Sequence, residues 1–418
     1  MYASPHGEAY FFCFFIDMVK KIQERTLIMK KRIFQLLFAF CFCVSCVFSA
    51  CNHAVTAAPA YPEEPNARSC ILMDGKTGAV LYEYNADAAY PPASVTKVMT
   101  MLLVFEALDE GTLTLDEKLR ISETAAAMGG SQIFLAAGEE MSVDDLLKGL
   151  IVSSANDAAV ALAEAICGSE EAFVVRMNAR AAELGLVNTH FENTNGLDDT
   201  TENHVTSARD IALMTKELIR HEKVFEYTTI WMDTIRDGTF GLSNTNKLIR
   251  FYKGATGLKT GSTEKAKFCI SATAERDGLS LIAVVMGSPT KEVRNALAAS
   301  LLDFGFANYG CYSSPSEAMS DIRITGGVGN TLATVKEDFS ATVEKSKLSK
   351  IEVRVDIPEK LAAPIAEGEK VGTVTYLEGG KEIGTADILA AHAVDKIKFS
   401  TLFPRMLAWF LMGERAEG

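Results

Sequence analysis

Pro91-Pro92-Ala93-Ser94-Val95-Thr96-Lys97-Val98-Met99-Thr100 is the stretch on which the reading of this chain turns. The proline pair ends an extended approach, Ser94 opens a helix, and Lys97 follows one helical turn later, so a hydroxyl and an amine share one face. Such a pair can act as nucleophile and base, yet average residue usage yields about one or two Ser-x-x-Lys matches by chance in a chain this long. Its meaning depends on what lies downstream.

Two further elements follow in order. Ser154-Ala155-Asn156 ends an apolar helix that carries Leu150 and Ile151, and Lys259-Thr260-Gly261 lies in a strand. Ser-x-x-Lys, Ser-x-Asn and Lys-Thr-Gly in this order match the set described for penicillin-binding proteins and class A β-lactamases, with Ala155 where that pattern has aspartate. An earlier Lys76-Thr77-Gly78 falls in a hairpin turn ahead of Ser94, where side chains point to solvent, and is given no catalytic role. Ser153 is set aside because only Ser154 has asparagine two positions on.

The residue types suggest roles. Ser94 Oγ needs a group to take its proton, and His190, His204 and His221 stand in loop or helix-edge contexts that read as structural. Lys97 can take it if held neutral, which burial and the nearby Lys259 cation both favour. Ser154 is suited to relay a proton to the leaving amine, and Asn156 to hydrogen-bond a substrate amide with donor and acceptor at once. Lys259 and Thr260 offer a charge and a hydroxyl to a carboxylate, and Gly261 lets an extended peptide approach the strand edge. Backbone N–H groups of Ser94 and Ser262 are the expected oxyanion hole.

Composition narrows the class. A chain of 418 residues with 48% hydrophobic content can bury more than one core, and a formal net charge of −13 opposes nucleic-acid binding. Four of the nine cysteines, Cys41, Cys43, Cys46 and Cys51, crowd a short apolar segment; Cys70, Cys167 and Cys269 read as buried small hydrophobes. No paired-cysteine or histidine cluster suggests zinc, and no metal or organic cofactor is implied.

Met29-Lys30-Lys31-Arg32 followed by Ile33 to Ala50 has the form of a signal peptide within a leader over 1–60, with translation expected to start at Met29 and the protein to be exported. Cys51 invites lipidation, although Phe48 stands where such sites usually carry an aliphatic residue. After a Pro/Glu-rich linker come a β-hairpin over 69–84, helical spacing from Ser94 to Leu108 and from Val143 to Leu186, and a turn-rich loop over 193–198. A helix capped by Ser207, strands over 258–262, 268–274 and 279–286, and a helix over 292–306 complete the region. The reading is α+β, with a sheet built from both ends of the segment. A small all-β domain is expected over 318–396, and an aromatic-rich amphipathic helix over 398–413 is too short for a hydrocarbon core of about 30 Å and suits a membrane interface.

Taken together the chain resembles the serine-type D-alanyl-D-alanine carboxypeptidases of the low-molecular-mass penicillin-binding proteins. The likeness extends through Gly130 to Leu135, Ser154 to Ala159, Phe173 to Asn178 and Asn193 to Asp198, spans about 66–312, and continues in the β domain and the tail. It implies a penicilloyl-serine transferase or β-lactamase-like fold, an antiparallel sheet with helices, on the outer face of a bacterial membrane. It also implies acylation of Ser94 by peptidoglycan stem peptides ending in D-Ala-D-Ala, and by β-lactams. Some members hold the terminal carboxylate with an arginine after the last sheet strands, where Gly287-Ser288-Pro289-Thr290 stands here, and Arg294 is read as a helix-surface residue. A β-lactamase would add a deacylating glutamate loop, for which Glu192 and Glu202 lack the expected spacing; a non-catalytic penicillin-binding sensor or scaffold is the other alternative.

Overall fold

The computed structural model describes residues 61 and 64–412; the expected leader, the Met29 start and Cys51 lie outside them. Strands β1 (Ser69–Asp74) and β2 (Val80–Tyr84) pair antiparallel through a turn in which Asp74 accepts from the backbone N–H groups of Lys76 and Thr77. The earlier Lys-Thr-Gly is thereby a hairpin turn, its Lys76 amine donating to Gly278 O at 3.2 Å on the surface.

Ser94 does not open an α-helix directly. It sits in a 3-10 turn, Ala93–Thr96, and the helix α1 (Lys97–Asp109) begins with the lysine itself. Ten of the thirteen residues of α1 are buried, so the helix is a central pillar covered on most sides, which explains how a lysine comes to lie inside. Helices α2 (Val143–Val152), α3 (Asn156–Cys167), α4 (Glu170–Glu183) and α5 (Ala208–Leu218) surround it. Ser142, Ser169 and Ser207 cap α2, α4 and α5, each accepting from a backbone N–H three residues on. The 143–186 region forms three successive helices, and at the first break Ser154 has a left-handed φ of 64°. Cys70 and Cys269 are buried as expected, whereas Cys167 at the last turn of α3 is only half-buried.

Strands β3 (Ala255–Thr263), β4 (Lys267–Arg276) and β5 (Leu279–Ser288) complete an antiparallel sheet of order β2-β1-β5-β4-β3, followed by α6 (Lys291–Asn308), which Thr290 caps. Pairing of β1 with β5 joins the two ends of the segment. Strand β5 feeds both faces: Leu281, Ala283 and Val285 enter the core with Leu297 and Leu301 of α6, while Ile282, Val284 and Met286 enter the core with α1 and α5. Strand β3 is left at the sheet edge, against the 3-10 turn.

Two glycines set how closely the site elements approach. A Cβ at Gly261 would lie 2.8 Å from Ser94 N and 2.9 Å from both Pro92 O and Val95 N, so the missing side chain admits the serine turn against β3. The sequence expectation gave that space to a peptide. Gly196 has φ +85°, and a Cβ there would fall 1.8 Å from Ala93 O and 2.7 Å from Thr96 Oγ1. Gly196→Ala should therefore cost about 2–4 kcal/mol through strain and overlap with backbone. Urea unfolding reads this directly, and an unchanged midpoint would contradict the packing described.

The chain continues through β6 (Tyr309–Ser314), β7 (Glu317–Thr325), β8 (Thr331–Lys336), β9 (Phe339–Glu344), β10 (Ile351–Asp356), β11 (Lys360–Ala362), β12 (Lys370–Glu378) and β13 (Lys381–Ala390). These form a six-stranded sheet of order β10-β12-β13-β8-β7-β11 and a β6–β9 pair over a separate core. Within that core Tyr376 stacks on Phe339 at 4.1 Å, and buried Lys336 donates to Ser314 Oγ and Pro315 O, gripping the connection between β6 and β7. Helix α7 (Phe399–Met412) follows, and among the described residues no helix is long and apolar enough to cross a membrane.

Candidate active site

The 3-10 turn, the break before α3 and the edge strand β3 converge on one cluster. Lys97 Nζ, fully buried, lies 3.1 Å from Ser94 Oγ, 2.6 Å from Asn156 Oδ1 and 3.0 Å from Asn195 O. Burial pushes the Lys97 amine well below its ordinary range, the Lys259 charge adds to this, and the Asp157 carboxylate opposes it. Burial leads and Lys259 adds to it, the two influences named in the sequence.

A neutral primary amine carries two N–H bonds and one lone pair. Asn195 O can only accept, and Asn156 Oδ1 is likewise an acceptor because its partner Nδ2 donates to Gly129 O at 2.7 Å. These two oxygens take both N–H bonds, and the lone pair is left facing Ser94 Oγ. The orientation of the amine is thus fixed by two neighbours that are not themselves bases.

Asn156 is committed inward: Oδ1 to Lys97, one N–H of Nδ2 to Gly129 O. One N–H remains for a substrate carbonyl, so the expected clasp with donor and acceptor at once becomes a single donation. Beside it Asp157 accepts from the backbone N–H groups of Ile133 and Leu135, which fixes the 129–135 loop over the site.

Across the cluster Lys259 Nζ donates to Ser154 Oγ at 2.8 Å and to Thr260 O at 2.9 Å. Burial, and then the positive charge of Arg294, bring the Lys259 amine down to about 7. Thr260 Oγ1 donates to Thr245 Oγ1 at 2.9 Å, and Ser262, two residues further along β3, is exposed. The eight residues expected at the site, Ser94, Lys97, Ser154, Asn156, Lys259, Thr260, Gly261 and Ser262, are carried by these three converging elements.

Arg294 corrects the sequence reading. Its side of α6 faces β4, not water, and its guanidinium is buried, donating to Asn295 Oδ1 at 2.9 Å and to Cys269 O at 3.4 Å. Burial lowers its own pKa to about 10. Removing its charge by Arg294→Met should let the Lys259 pKa rise from about 7. The limb of the pH–kcat/KM profile that reports Lys259 should move to higher pH, and an unmoved profile in a folded variant would contradict the coupling.

Three further residues, His204, Glu192 and Asn195, support the cluster. His204 is buried and held near a pKa of about 4, chiefly by burial. Its Nδ1 accepts from Glu192 N, so Nε2–H donates to Thr96 Oγ1 at 2.7 Å, and Thr96 Oγ1 donates to Ala93 O. This chain braces the serine turn, where Ala93 has φ 50°. The Glu192 carboxylate is spent on the N–H groups of Glu202 and Asn203 within its own loop. Asn195, in the Asn193–Asp198 segment of the resemblance, supplies the carbonyl that orients Lys97.

An antiparallel sheet backed by helices, with Ser-x-x-Lys, Ser-x-Asn and Lys-Thr-Gly gathered at one edge, is the arrangement described for penicillin-binding proteins and class A β-lactamases. Residues 54–290 match the family model of D-alanyl-D-alanine carboxypeptidase and residues 316–396 that of the penicillin-binding protein 5 C-terminal domain. The chain belongs to the D-alanyl-D-alanine carboxypeptidase family. It is 40% identical over 348 residues to D-alanyl-D-alanine carboxypeptidase DacF of Bacillus subtilis, covering 82% of this chain and 89% of that protein. Penicillin-binding protein 5 from Haemophilus influenzae is similar in structure, with a TM-score of 0.70, 33% identity and coverage of 81% of this chain and all of that one. Penicillin-binding protein D2 from Listeria monocytogenes, solved with ampicillin bound, aligns with 59% of this chain and all of its own, at a TM-score of 0.54 and 34% identity.

Proposed function

We propose that this carboxypeptidase removes the terminal D-alanine of peptidoglycan stem pentapeptides through an acyl-enzyme on Ser94. The observation that carries the residue assignment is the Lys97 amine, buried, 3.1 Å from Ser94 Oγ and held by Asn156 Oδ1 and Asn195 O. Ser94 Oγ attacks the carbonyl of the penultimate D-alanine as its proton passes to Lys97. The oxyanion that forms faces the backbone N–H groups of Ser94 and Ser262, a contribution of about 3 kcal/mol per donor in related chemistry. Ser154, hydrogen-bonded to Lys259, hands a proton to the departing amine. Lys259 and Thr260 hold the terminal carboxylate, and the remaining N–H of Asn156 holds a peptide carbonyl.

The same serine would open a β-lactam ring and retain the penicilloyl group, as the ampicillin-bound Listeria relative suggests. Incubating the purified protein with a peptide ending in D-Ala-D-Ala and with labelled penicillin tests the proposal. Free D-alanine with a lasting adduct is expected. Rapid penicillin turnover would mean a β-lactamase, and an adduct without D-alanine release would mean a sensor.

The domains are proposed as catalytic over 66–312 and β over 318–396, with the tail over 398–413 as a peripheral anchor on the outer membrane face of the cell that exports the protein. Phe399, Phe403, Met406 and Phe410 are exposed at helical spacing along α7, with Leu402, Leu407 and Leu411 beside them. Such a row buries its side chains in a headgroup layer, not across it. Truncation before Phe399 should release the protein from phospholipid vesicles in a flotation assay, and unchanged flotation would refute the anchor.

A further inference from the structure

Strand β10 lies at one margin of the six-stranded sheet, paired with β12 on one side and with no strand on the other. Lys350-Ile351-Glu352-Val353-Arg354-Val355-Asp356 runs along that margin, and every position from Glu352 to Asp356 is exposed. Val353 and Val355 stand opposite Tyr376 and Val374 of β12, which are buried in the core of the β domain, yet they remain 52% and 46% exposed because the sheet ends there. The other face of the strand carries charges. Glu352, Arg354 and Asp356 stand opposite Leu377, Thr375 and Thr373, and neither they nor Lys350 makes an ion pair among the described residues.

Charge on an open edge commonly keeps further strands away. Here the signs alternate, and their order is its own complement. When a second copy of the strand runs antiparallel with Val353 opposite Val353, Glu352 faces Arg354 twice, Lys350 faces Asp356 at both ends, and Ile351 faces Val355 on both sides. One face of the joined strands then holds only opposite charges and the other only apolar side chains. Centring the pair on Glu352 sets Lys350 against Arg354, and centring it on Arg354 sets Glu352 against Asp356. Both neighbouring registers oppose like charges, so the sequence selects the one at Val353.

We infer that β10 is a docking edge for a second copy of this chain, two molecules pairing their β10 strands antiparallel about a two-fold axis at Val353. The two six-stranded sheets become one continuous sheet. Each copy uses the same edge, so the contact closes at two molecules and does not propagate. A single strand pair is smaller than the roughly 1,200 Å² at which stable interfaces begin, and the dimer is therefore reversible and dependent on concentration. The pairing involves the β domain alone and does not rest on the acyl-enzyme at Ser94.

Sedimentation of the purified protein from micromolar to hundreds of micromolar should show a monomer–dimer equilibrium. Arg354→Glu should weaken association at least about tenfold, because two attractive pairs become repulsive. Adding Glu352→Arg to that variant restores opposite charges at both places and should return association to within about threefold of the original. Val353→Cys should cross-link to a dimer on mild oxidation beyond the wild-type background, whereas Asp356→Cys, whose two copies lie about 20 Å apart in this register, should not. A monomer at every concentration, a dimer indifferent to Arg354→Glu, a double variant as weak as the single one, or equal cross-linking at both cysteines would each overturn the inference. Hydrogen exchange of the unaltered protein asks the same question without substitution: β10 amides should exchange more slowly in concentrated than in dilute solution, and equal exchange overturns the inference.

Discussion

Ser94→Ala should abolish D-alanine release, with kcat lower by about 10⁴–10⁶-fold, and should leave no penicillin adduct. No other hydroxyl in the cluster can take its place. Ser154 Oγ faces Lys259, whose amine donates to it, and Ser153 ends α2 outside these hydrogen bonds. Thr96 Oγ1 donates to Ala93 O and accepts from His204, so it is closed off as well. The variant should fold, since Ser94 is half-buried and its Oγ hydrogen-bonds only Lys97 Nζ among the described contacts. Loss of both signals in a protein of normal melting temperature is the expected result; persistence of either would place the nucleophile elsewhere.

Lys97→Met should cut the rate of adduct formation by about 10²–10⁴-fold, the usual worth of a positioned base. Methionine approximates the length and removes the nitrogen, so Asn156 Oδ1 and Asn195 O lose their donor while the packing around α1 persists. Lys97→Arg should not rescue the rate, because a guanidinium stays protonated and has no lone pair to offer. With Lys97 as the proposed base, the acid limb of acylation should belong to it: the neutral amine is the working form, its pKa is depressed, and rate should be lost as pH falls through that depressed value. An arginine variant with native acylation rates would exclude lysine as the base.

Much of this was legible in the chain because the site is written in contiguous pieces. Ser94 and Lys97 are fixed by one turn, Lys259 to Ser262 by one strand, and both ends of the sheet by apolar runs that the β1–β5 pairing joins. What escaped was set by packing between distant segments. Arg294 looks like a helix-surface residue from its neighbours, and only the docking of α6 on β4 turns it inward toward Cys269 O. Asn195 O reaches Lys97 across 98 positions, and nothing in the local pattern of the 193–198 turn announces that contact. Gly261 illustrates the same limit: the need for glycine was apparent, but the neighbour it makes room for is the serine turn.

Peptide mapping of the intact protein after incubation with penicillin tests the account at its centre. The penicilloyl mass should appear, close to one per molecule, on the proteolytic peptide that contains Ser94, and the Lys97→Met protein should remain unlabelled over the same interval. An adduct on Ser154 or any other residue, or penicillin consumed with the Ser94 peptide unmodified at every time point, would contradict it.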